Sequence, residues 1–440
     1  MARRAAEAAP LLEGEVDGLS HDGRGVARVE GKAVFIDGAL PGERVCFRRL
    51  RQRRGYDSGE LVEVLRPSPH RVAPRCPVFG TCGGCRLQHL DPAAQVEVKQ
   101  SLLLEDLARI GGVEPERVLA PVTGPVWGYR RRGRLGVRRV PKKGGVLVGF
   151  RERAKRYITD MTACPVLVPA VGDDLSPLRA LVESLSIADR VPQIEVAAGD
   201  RLCALVFRHL LPLARSDRDR LAAYGRERDL QIWLQPGGPE TAAPLAGEDR
   251  LHYRLPEEGV ELGFRATDFI QVNAEVNRRA VALALELLAP APDEGVLDLF
   301  CGLGNFSLPL ARRAGRVLGL EGEAGLVARA RDNARTNGLE AVRFERSDLY
   351  REDGLAAWLR LGWDKVLLDP PRTGAMEVVK QLGDPALRRV VYVSCNPATL
   401  ARDSRVLVQV HGYRLEAAGV LDMFPHTQHA EAIALFSRER

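Results

Sequence analysis

Three short motifs in the second half of the chain place a thiol, a carboxylate and a glycine-rich turn where they could do chemistry together. Cys395 lies in Ser394-Cys395-Asn396-Pro397, about 25 residues after Asp369-Pro370-Pro371-Arg372. An apolar run upstream ends in Gly302-Leu303-Gly304, and Glu431 follows a histidine-containing segment downstream. The combination of a nucleophile, a base and a glycine-rich turn that could bind a cofactor indicates methyl transfer to a ring carbon that first needs covalent activation.

Cys395 is the candidate nucleophile and Glu431 the candidate base. Pro397 is typical of a first helical turn, and a helix N-terminus lowers a thiol's pKa from about 8.5, so we expect a thiolate. Uracil C5 is a poor nucleophile, but thiolate addition at C6 makes C5 enolate-like, and Glu431 would then remove the C5 proton. The alternatives are a small core residue for Cys395 and a strand-edge carboxylate for Glu431. His426 and His429 either position substrate or are structural.

The glycine turn alone is a weak signal, and it predicts a nucleotide-like cofactor only in combination with acidic residues at the ends of the following strands. Glu321 ends the next strand, 23 residues after Asp298, where an acid accepts hydrogen bonds from ribose hydroxyls. The third glycine of a dinucleotide fingerprint is absent, which favours S-adenosylmethionine over NAD. Asp348 follows the third strand, where it would contact adenine or cap a helix.

A second kind of methyl transfer is the runner-up. Asp369-Pro370-Pro371 is also typical of enzymes that methylate exocyclic amino groups, in which an aromatic residue follows the prolines and stacks on the flipped base. Arg372 occupies that place here. Methylation of adenine N6 is therefore less favoured than methylation of uracil C5.

The elements around these motifs alternate between strands and helices. This pattern predicts a doubly wound, largely parallel sheet, with Asp369 and Cys395 at the carboxyl ends of strands, where ligands gather. The predicted helices are 274–288, 305–314 and 324–337, and the predicted strands are 296–299, 317–320, 342–345, 365–369 and 389–394.

The N-terminal part has a different pattern. From about Leu11 to Pro69, short β-like runs alternate with glycine turns, which predicts a small OB-like barrel. A helix is expected over Gln95–Ile110, stopped by Gly111-Gly112. Strand-like and helical runs then mix up to about Gly263.

The composition is that of an ordinary globular protein, with 45% hydrophobic and 28% charged residues and a net charge of +6. Basic residues are clustered: residues 127–156 hold 12 Lys and Arg against one Glu, with aromatic residues interleaved. Such a segment is either a solvated surface or a binding site for RNA phosphates and unpaired bases. The N-terminal residues Met1–Ala6 are read as a frayed tail without an export signal, and no membrane span is expected.

Eight cysteines are present, and a reducing cytoplasmic location makes disulfides unexpected. Cys76, Cys82 and Cys85 form a C-x5-C-x2-C cluster, with Cys164 as a distant fourth thiol. Four soft ligands suit an iron–sulfur cluster or zinc, and the spacing does not choose between them. Radical chemistry is an alternative, but its usual three-cysteine loop has another spacing, and it would leave Cys395 without a role.

Together the motifs resemble the bacterial RNA uracil-C5 methyltransferases over about residues 15–437. The similarity lies in 82–89, 269–273, 298–306, 369–372, 394–397 and 422–431, with one small departure at Ala430. The segment 37–43 resembles the TRAM RNA-binding module. With the four cysteines, this points to the branch that methylates uracil 1939 of 23S ribosomal RNA.

The resemblance implies an α/β Rossmann-like methyltransferase preceded by a TRAM barrel and a mixed α+β, iron–sulfur-bearing central domain. The implied domains are 1–70, 71–262 and 263–440, and the implied cofactors are S-adenosylmethionine and a [4Fe-4S] cluster. Cys395 would be the nucleophile and Glu431 the base. The cluster ligands would be Cys76, Cys82, Cys85 and Cys164. The residues lining the S-adenosylmethionine and substrate pocket would be Gln271, Phe300, Asn305, Glu321, Asp348 and Asp369.

The resemblance makes 23S ribosomal RNA the expected partner, without an obligate protein partner. A different uracil in 23S ribosomal RNA or tRNA is an alternative substrate. An alternative of another functional class is that the protein is an RNA-binding factor with a vestigial methyltransferase domain. The presence of both Cys395 and Glu431 argues against this alternative.

Overall fold

A computed structural model describes residues 10–153, 155–351 and 353–439. The chain forms two compact units. The first comprises the described residues up to Lys99 and those within Arg151–Thr159 and Phe424–His429, and the second comprises the rest. The N-terminal tail expected over Met1–Ala6 lies outside the described residues.

The first unit contains a closed five-stranded barrel in the order β1-β2-β3-β5-β4. Its strands are β1 (Leu11–Leu19), β2 (Gly25–Val29), β3 (Lys32–Asp37), β4 (Arg44–Gln52) and β5 (Tyr56–Arg66). Alternating apolar side chains point inward, among them Val34, Ile36 and Phe47, which are fully buried. Gly59 lies opposite Phe47, where a Cβ atom would stand 2.8 Å from the ring. The barrel predicted from the short β runs is confirmed.

Helix α1 (Pro92–Asp106) continues as a π-helical turn over Leu107–Gly111. It ends where Gly112 adopts the left-handed conformation at φ 63°, so its amide reaches back to the carbonyls of Leu107 and Ala108. The helix expected over 95–110, with a stop at the glycine pair, is present.

The second unit holds all the remaining elements. Its strands are β6 (Arg117–Val118), β7 (Arg132–Val140), β8 (Gly145–Gly149), β9 (Gln193–Ala198), β10 (Cys203–Arg208), β11 (Leu230–Gln235), β12 (Ala243–Pro244), β13 (Leu251–Leu255), β14 (Val260–Phe264), β15 (Gly295–Leu299), β16 (Arg316–Glu321), β17 (Val342–Arg346), β18 (Lys365–Leu368), β19 (Arg389–Ser394), β20 (Arg414–Leu421) and β21 (Glu431–Ser437). Its α-helices are α2 (Pro169–Gly172), α3 (Ser176–Ser184), α4 (Arg215–Arg228), α5 (Ala274–Leu288), α6 (Ser307–Ala311), α7 (Ala324–Thr336), α8 (Ala356–Leu359), α9 (Met376–Val379) and α10 (Pro397–Gln409). Short 3₁₀ turns lie at Pro141–Lys143, Ala188–Arg190, Pro239–Thr241 and Pro256–Glu258.

A six-stranded sheet in the order β12-β11-β10-β9-β7-β8 forms the first layer of this unit, and β13 and β14 form a separate hairpin. Most pairs are antiparallel, but β10 and β11 run parallel because α4 connects them as a crossover. The mixed α+β pattern expected between the barrel and the methyltransferase-like part is confirmed.

An eight-stranded sheet in the order β17-β16-β15-β18-β19-β21-β20-β6 carries the predicted Rossmann-like core. Strands β15 to β19 are parallel, and helices follow them as in a doubly wound fold. The five predicted strands are all present. Their apolar side chains are buried, as expected for a parallel sheet covered on both faces.

The remaining strands of this sheet were not anticipated. Strand β21 inserts antiparallel between β19 and β20, and β6 pairs with the far side of β20. All seven residues of β21 are buried. The insertion matters because β21 begins at Glu431, next to the end of β19.

Candidate active site

Cys395 lies between the end of β19 and the start of α10, at the carboxyl edge of the sheet. Asn396 caps the helix, because its side-chain oxygen accepts a hydrogen bond from the Ala398 amide at 3.2 Å, and Pro397 occupies the first turn. Ser394 closes the turn with a 3.1 Å hydrogen bond from the Asn396 amide. The half-buried thiol is thus held in a fixed turn.

Strand register places Glu431 beside the thiol. Ser394 pairs with Ala432 in the antiparallel ladder of β19 and β21, so Cys395 and Glu431 occupy the next position beyond it. Glu431 is 6% exposed. The two candidate catalytic residues, which are far apart in sequence, are therefore brought together by the fold.

The electrostatics of Cys395 differ from the prediction. Burial, the largest cause, and the carboxylates of Glu431 and Asp369 together raise the pKa of the thiol to about 11, and Arg372 opposes them. We expected the helix N-terminus to lower this pKa and favour the thiolate. That expectation was wrong for the free protein, because burial and two nearby carboxylates outweigh the helix end and Arg372.

Asp369 follows β18, the neighbour of β19, and its amide donates to the Leu299 carbonyl at 3.2 Å. Burial of its carboxyl raises its pKa to about 7. Asp369 also acts electrostatically on both Cys395 and Asp298. It therefore connects the thiol to the glycine-turn side of the site.

Glu321 ends β16 and closes over the glycine turn. Its carboxylate accepts hydrogen bonds from the Gly302 amide at 3.1 Å and the Glu323 amide at 3.0 Å. Phe300, the first residue after β15, adopts a positive φ of 66°, which non-glycine residues rarely do. Such strain is typical of functional turns.

Phe300 and Asp348 meet the same neighbour, Tyr350. The rings of Phe300 and Tyr350 lie 5.6 Å apart between centroids. Asp348 is exposed, and its carboxylate accepts from the Tyr350 amide at 3.1 Å. Asp348 therefore closes a local turn and does not cap a helix as the alternative interpretation predicted, since the next helix begins at Ala356 with Leu355 at its N-cap.

Gln271 and Asn305 lie at a second part of the site. Asn305 accepts a hydrogen bond from the Tyr253 hydroxyl and exchanges two with Asn277, all at 2.9–3.0 Å. Gln271 lines a small cleft with an empty volume of about 240 Å³, as do Tyr253 and Asn277. The side-chain oxygen of Gln271 is buried without a hydrogen-bond partner, so the cleft presents an unused acceptor.

Asp298 is a further candidate for the site, which the sequence motifs alone did not single out. It is fully buried in β15, its Oδ2 accepts from the Ser307 hydroxyl, and its Oδ1 has no partner. Burial raises its pKa to about 7, and the neighbouring Asp369 and Glu321 add to this effect. An acid inside an otherwise apolar strand was the signal that could have revealed it.

The histidines near Glu431 belong to the first unit. The His426 amide donates to the Gln95 side-chain oxygen at 2.7 Å, and its ring nitrogen lies 3.2 Å from the Gln95 amide nitrogen. The ring of His429 lies 5.6 Å from that of Phe424. These contacts favour the structural interpretation of both histidines.

The four candidate metal ligands divide between the units. Cys76, Cys82 and Cys85 lie in the first unit and Cys164 in the second. Over the described ranges 10–153, 155–351 and 353–439, no group of three or more His, Cys, Asp or Glu side chains has the arrangement of a metal site.

The surroundings of the first-unit thiols nevertheless suit a soft metal group. Cys82 accepts a hydrogen bond from the Gly84 amide at 3.4 Å, and backbone amides of Val78 and Phe79 act on Cys76. Burial raises the pKa of Cys82, and the proximity of Cys76 adds to it. Amides directed at buried sulfurs are a feature of iron–sulfur ligands.

The basic segment 127–156 is largely engaged in ion pairs where it enters β7. Arg131 pairs with Asp200 at 2.5 Å, and Arg132 and Arg134 share Glu195 at 3.4 and 3.0 Å.

Within the part of the chain that is described, no helix has the length and hydrophobicity needed to cross a membrane.

Comparisons with known proteins agree with this geometry. The model of the tRNA (uracil-5-)-methyltransferase family matches residues 198–439, and the TRAM domain matches residues 14–47. The chain is 56% identical over 426 residues to 23S rRNA (uracil(1939)-C(5))-methyltransferase RlmD of Alkalilimnicola ehrlichii, covering 96% of each chain. It is 50% identical over 442 residues to the protein of the same name from Alcanivorax borkumensis, covering 100% of this chain and 99% of that one.

A solved structure shows the same architecture. The tRNA (uracil-54, C5)-methyltransferase of Pyrococcus abyssi, in complex with S-adenosyl-L-homocysteine, matches with a TM-score of 0.74 and 26% identity, covering 97% of this chain and 100% of that one. Because a family model matches more than half of the chain, and relatives that cover nearly all of it share half or more of their residues with it, the protein belongs to the tRNA (uracil-5-)-methyltransferase family.

Proposed function

We propose that the protein methylates C5 of uracil 1939 in 23S ribosomal RNA, with Cys395 as nucleophile and Glu431 as base. The observation that carries this proposal is the register of β19 and β21, which sets a thiol and a buried carboxylate side by side at the carboxyl edge of the sheet. The position 1939 rests on the names of relatives that are 50–56% identical to this chain over nearly its full length.

In the proposed reaction, the Cys395 thiolate forms a bond to uracil C6, and the electron pair of the C5–C6 double bond moves toward C5 and O4. S-adenosylmethionine, when bound, supplies an electrophilic methyl group. C5 would take this methyl group, the methyl–sulfur bond of the sulfonium would break, and S-adenosylhomocysteine would leave, so that C5 would carry both hydrogen and methyl. Glu431 takes the C5 proton, the C5–C6 double bond re-forms, and the bond between sulfur and C6 breaks to release the thiolate.

The residues around the glycine turn fit S-adenosylmethionine. Glu321 stands at the end of β16 where ribose hydroxyls are bound in related folds, and the buried oxygen of Gln271 offers an unused acceptor. The carboxyls of Asp298 and Asp369 provide an acidic environment suited to a cation. We propose that Phe300, Asn305 and Asp348 complete this pocket.

We also propose that Cys76, Cys82, Cys85 and Cys164 hold a [4Fe-4S] cluster. The proposal rests on the soft donor set and on the amides directed at Cys76 and Cys82. Such a cluster would serve a structural role, since the methyl transfer moves no electrons to or from a metal.

The cluster proposal is tested by iron and sulfide analysis of anaerobically purified protein. We expect about four irons per chain and loss of iron in Cys82→Ser. Cys203→Ser is the control, because Cys203 is a buried thiol of the six-stranded sheet and is not a proposed ligand. Zinc in place of iron would show that the thiols serve a different metal.

For the RNA, we propose a three-part division in which the barrel of residues 1–70 and the central region 71–262 bind RNA and residues 263–440 do the chemistry. The TRAM match over 14–47 and the excess of basic residues over 127–156 support this division. The target base has to leave its stack to reach a thiol at the edge of a sheet.

The decisive experiment is nucleoside mass spectrometry of unmodified 23S ribosomal RNA incubated with the protein and S-adenosylmethionine. We expect 5-methyluridine, mapped to the fragment that contains position 1939. Activity on tRNA alone would overturn the assigned substrate, and a methyl group on another atom would overturn the chemistry.

A further inference from the structure

The loop after β18 carries Asp369 and Arg372, and a buried carboxylate of α10 fixes its far end. Asp403 is fully buried in the second turn of α10. Its Oδ2 accepts hydrogen bonds from the Ala375 amide and the Tyr392 hydroxyl, both at 2.8 Å. One oxygen thus ties the loop to the core strand β19.

The other oxygen of Asp403 contacts the loop indirectly, through the side chain of Arg402. Oδ1 accepts from the Arg402 Nε at 2.8 Å, and the same guanidinium donates to the Thr373 carbonyl at 3.0 Å. Closer to the thiol, the Asn396 side-chain amide donates to the Arg372 carbonyl at 3.1 Å. Three successive contacts therefore bind the loop backbone to the helix that begins directly after Cys395.

Gly374 is the residue that allows this approach. It adopts a positive φ of 75°, and a Cβ atom there would lie 2.7 Å from both the Arg402 guanidinium and the Asp403 carboxylate. The loop backbone therefore lies directly against the pair of Arg402 and Asp403, and a side chain at position 374 would force the loop away from this pair.

We infer that Asp403 is a positioning residue for the methyl transfer: together with Arg402 it holds the part of the loop that carries Arg372 at a fixed distance from Cys395. This inference rests on the proposed function for its catalytic consequence.

The physical link to the thiol is Arg372. Burial is the main factor that raises the pKa of Cys395, with Glu431 and Asp369 adding to it, whereas Arg372 lowers it. The amide of Asp369 is held at the end of β18 by its hydrogen bond to the Leu299 carbonyl. Release of the loop from Asp403 would therefore carry mainly the Arg372 cation away from the sulfur and leave less thiolate. The reactivity of Cys395 therefore reports on the position of the loop without any RNA.

The test compares Asp403→Asn with Tyr392→Phe. The amide keeps the shape of Asp403 but loses the charge that holds Arg402. Removal of the Tyr392 hydroxyl deletes one hydrogen bond to the same carboxylate and leaves the contacts to Ala375 and Arg402 in place. The two variants perturb the same buried group, and only the first releases the loop.

For Asp403→Asn we expect kcat for 23S ribosomal RNA to fall at least about tenfold and KM for RNA to change by less than about threefold. The alkylation rate of Cys395 by iodoacetamide, followed on the tryptic peptide Val390–Arg402 in which it is the single cysteine, is expected to fall about threefold near pH 8.5. For Tyr392→Phe we expect both rates within about twofold of wild type.

Equal losses in both variants would mean a general loss of packing and would overturn the inference. So would an unchanged or faster alkylation in Asp403→Asn. If that variant does not fold, Arg402→Gln tests the same contact to Thr373 from a side chain that is 42% exposed, with the same expected directions. If the wild type methylates no RNA while alkylation slows only in Asp403→Asn, the proposed function fails and the control of the thiol by Asp403 stands.

Discussion

Replacement of Glu431 with glutamine should make the thiol of Cys395 more reactive while it stops turnover. The two effects have opposite signs because Glu431 acts on Cys395 in two ways. In the free protein its negative charge disfavours the thiolate. During the reaction the same carboxylate accepts a proton that glutamine cannot take.

The expected size follows from the pKa of the thiol. A cysteine ordinarily ionises near 8.5, and the pKa of Cys395 is raised to about 11, with burial as the larger cause and Glu431 next. Glu431 is the second of these causes, and we take its contribution to be on the order of one pKa unit, which corresponds to roughly tenfold in the thiolate population and about 1.4 kcal/mol. Solvent screening of the half-buried sulfur reduces this value, so we expect a three- to tenfold increase in reactivity.

The assay is the alkylation rate of the peptide Val390–Arg402, measured between about pH 7 and 9.5. The matched control is Glu416→Gln. Glu416 lies near Arg389, at the opposite end of β19 from Cys395, roughly 20 Å away at the rise of a strand. That distance exceeds the screening length of about 8 Å at physiological salt, so the control should not change the rate.

The wild-type profile carries a second check. Because the pKa of Cys395 is raised, the thiol is protonated at neutral pH, and its alkylation should rise close to tenfold per pH unit over this range. A plateau below pH 9 would show that the helix end controls the thiol after all. An unchanged or slower rate in Glu431→Gln would refute the placement of the carboxylate beside the sulfur.

Three further outcomes are expected. Cys395→Ala should reduce methylation at least about 10⁴-fold while the Kd for RNA changes by less than about threefold, as measured by nucleoside mass spectrometry and filter binding; residual turnover near wild type would exclude covalent catalysis. Glu431→Gln should accumulate a protein–RNA adduct that survives denaturing gels, because addition and methylation precede proton removal; lost activity without an adduct would give Glu431 another role. Asp298→Asn should raise Tm more at pH 8 than at pH 4: burial raises the pKa of Asp298 to about 7, so its favourable contribution is complete below about pH 4 and lost through pH 7, and the neutral amide avoids a cost on the order of 4 kcal/mol. Equal Tm differences at both pH values would contradict this last expectation.

The parallel core and the barrel could be predicted from sequence because short runs of apolar residues and the turns between them indicate each strand locally. Runs such as 390–393 are apolar throughout, as buried parallel strands are. The insertion of β21 between β19 and β20 is not local: Glu431–Ser437 is equally compatible with an edge strand, and its place depends on pairing with strands on both sides. Sequence patterns give the strand but not its neighbours.

The candidate site likewise has features that could be predicted from local sequence and features that depend on tertiary contacts. Cys395, Asp369 and Glu321 were found because each ends a predicted strand, where ligands collect. The pKa of Cys395 could not be found by that route, because it depends on the burial of the sulfur and on carboxylates from two other strands. Asp403 was missed for a related reason. A carboxylate in the middle of a helix looks like a solvated residue until the loop packed on it is known.

The pairing of nucleophile and base follows from strand direction. In a sheet that is parallel throughout, the residue beside Cys395 would be the end of another strand, and connecting it would need a crossover helix. An antiparallel neighbour instead begins where β19 ends, so the first residue of β21 meets the residue after the last one of β19. Because side chains alternate between faces, a one-residue slip would turn Glu431 away from the thiol. The burial of all seven residues of β21 opposes such a slip, since every side chain would have to change faces. The packing of this strand therefore fixes the geometry of the proposed proton transfer.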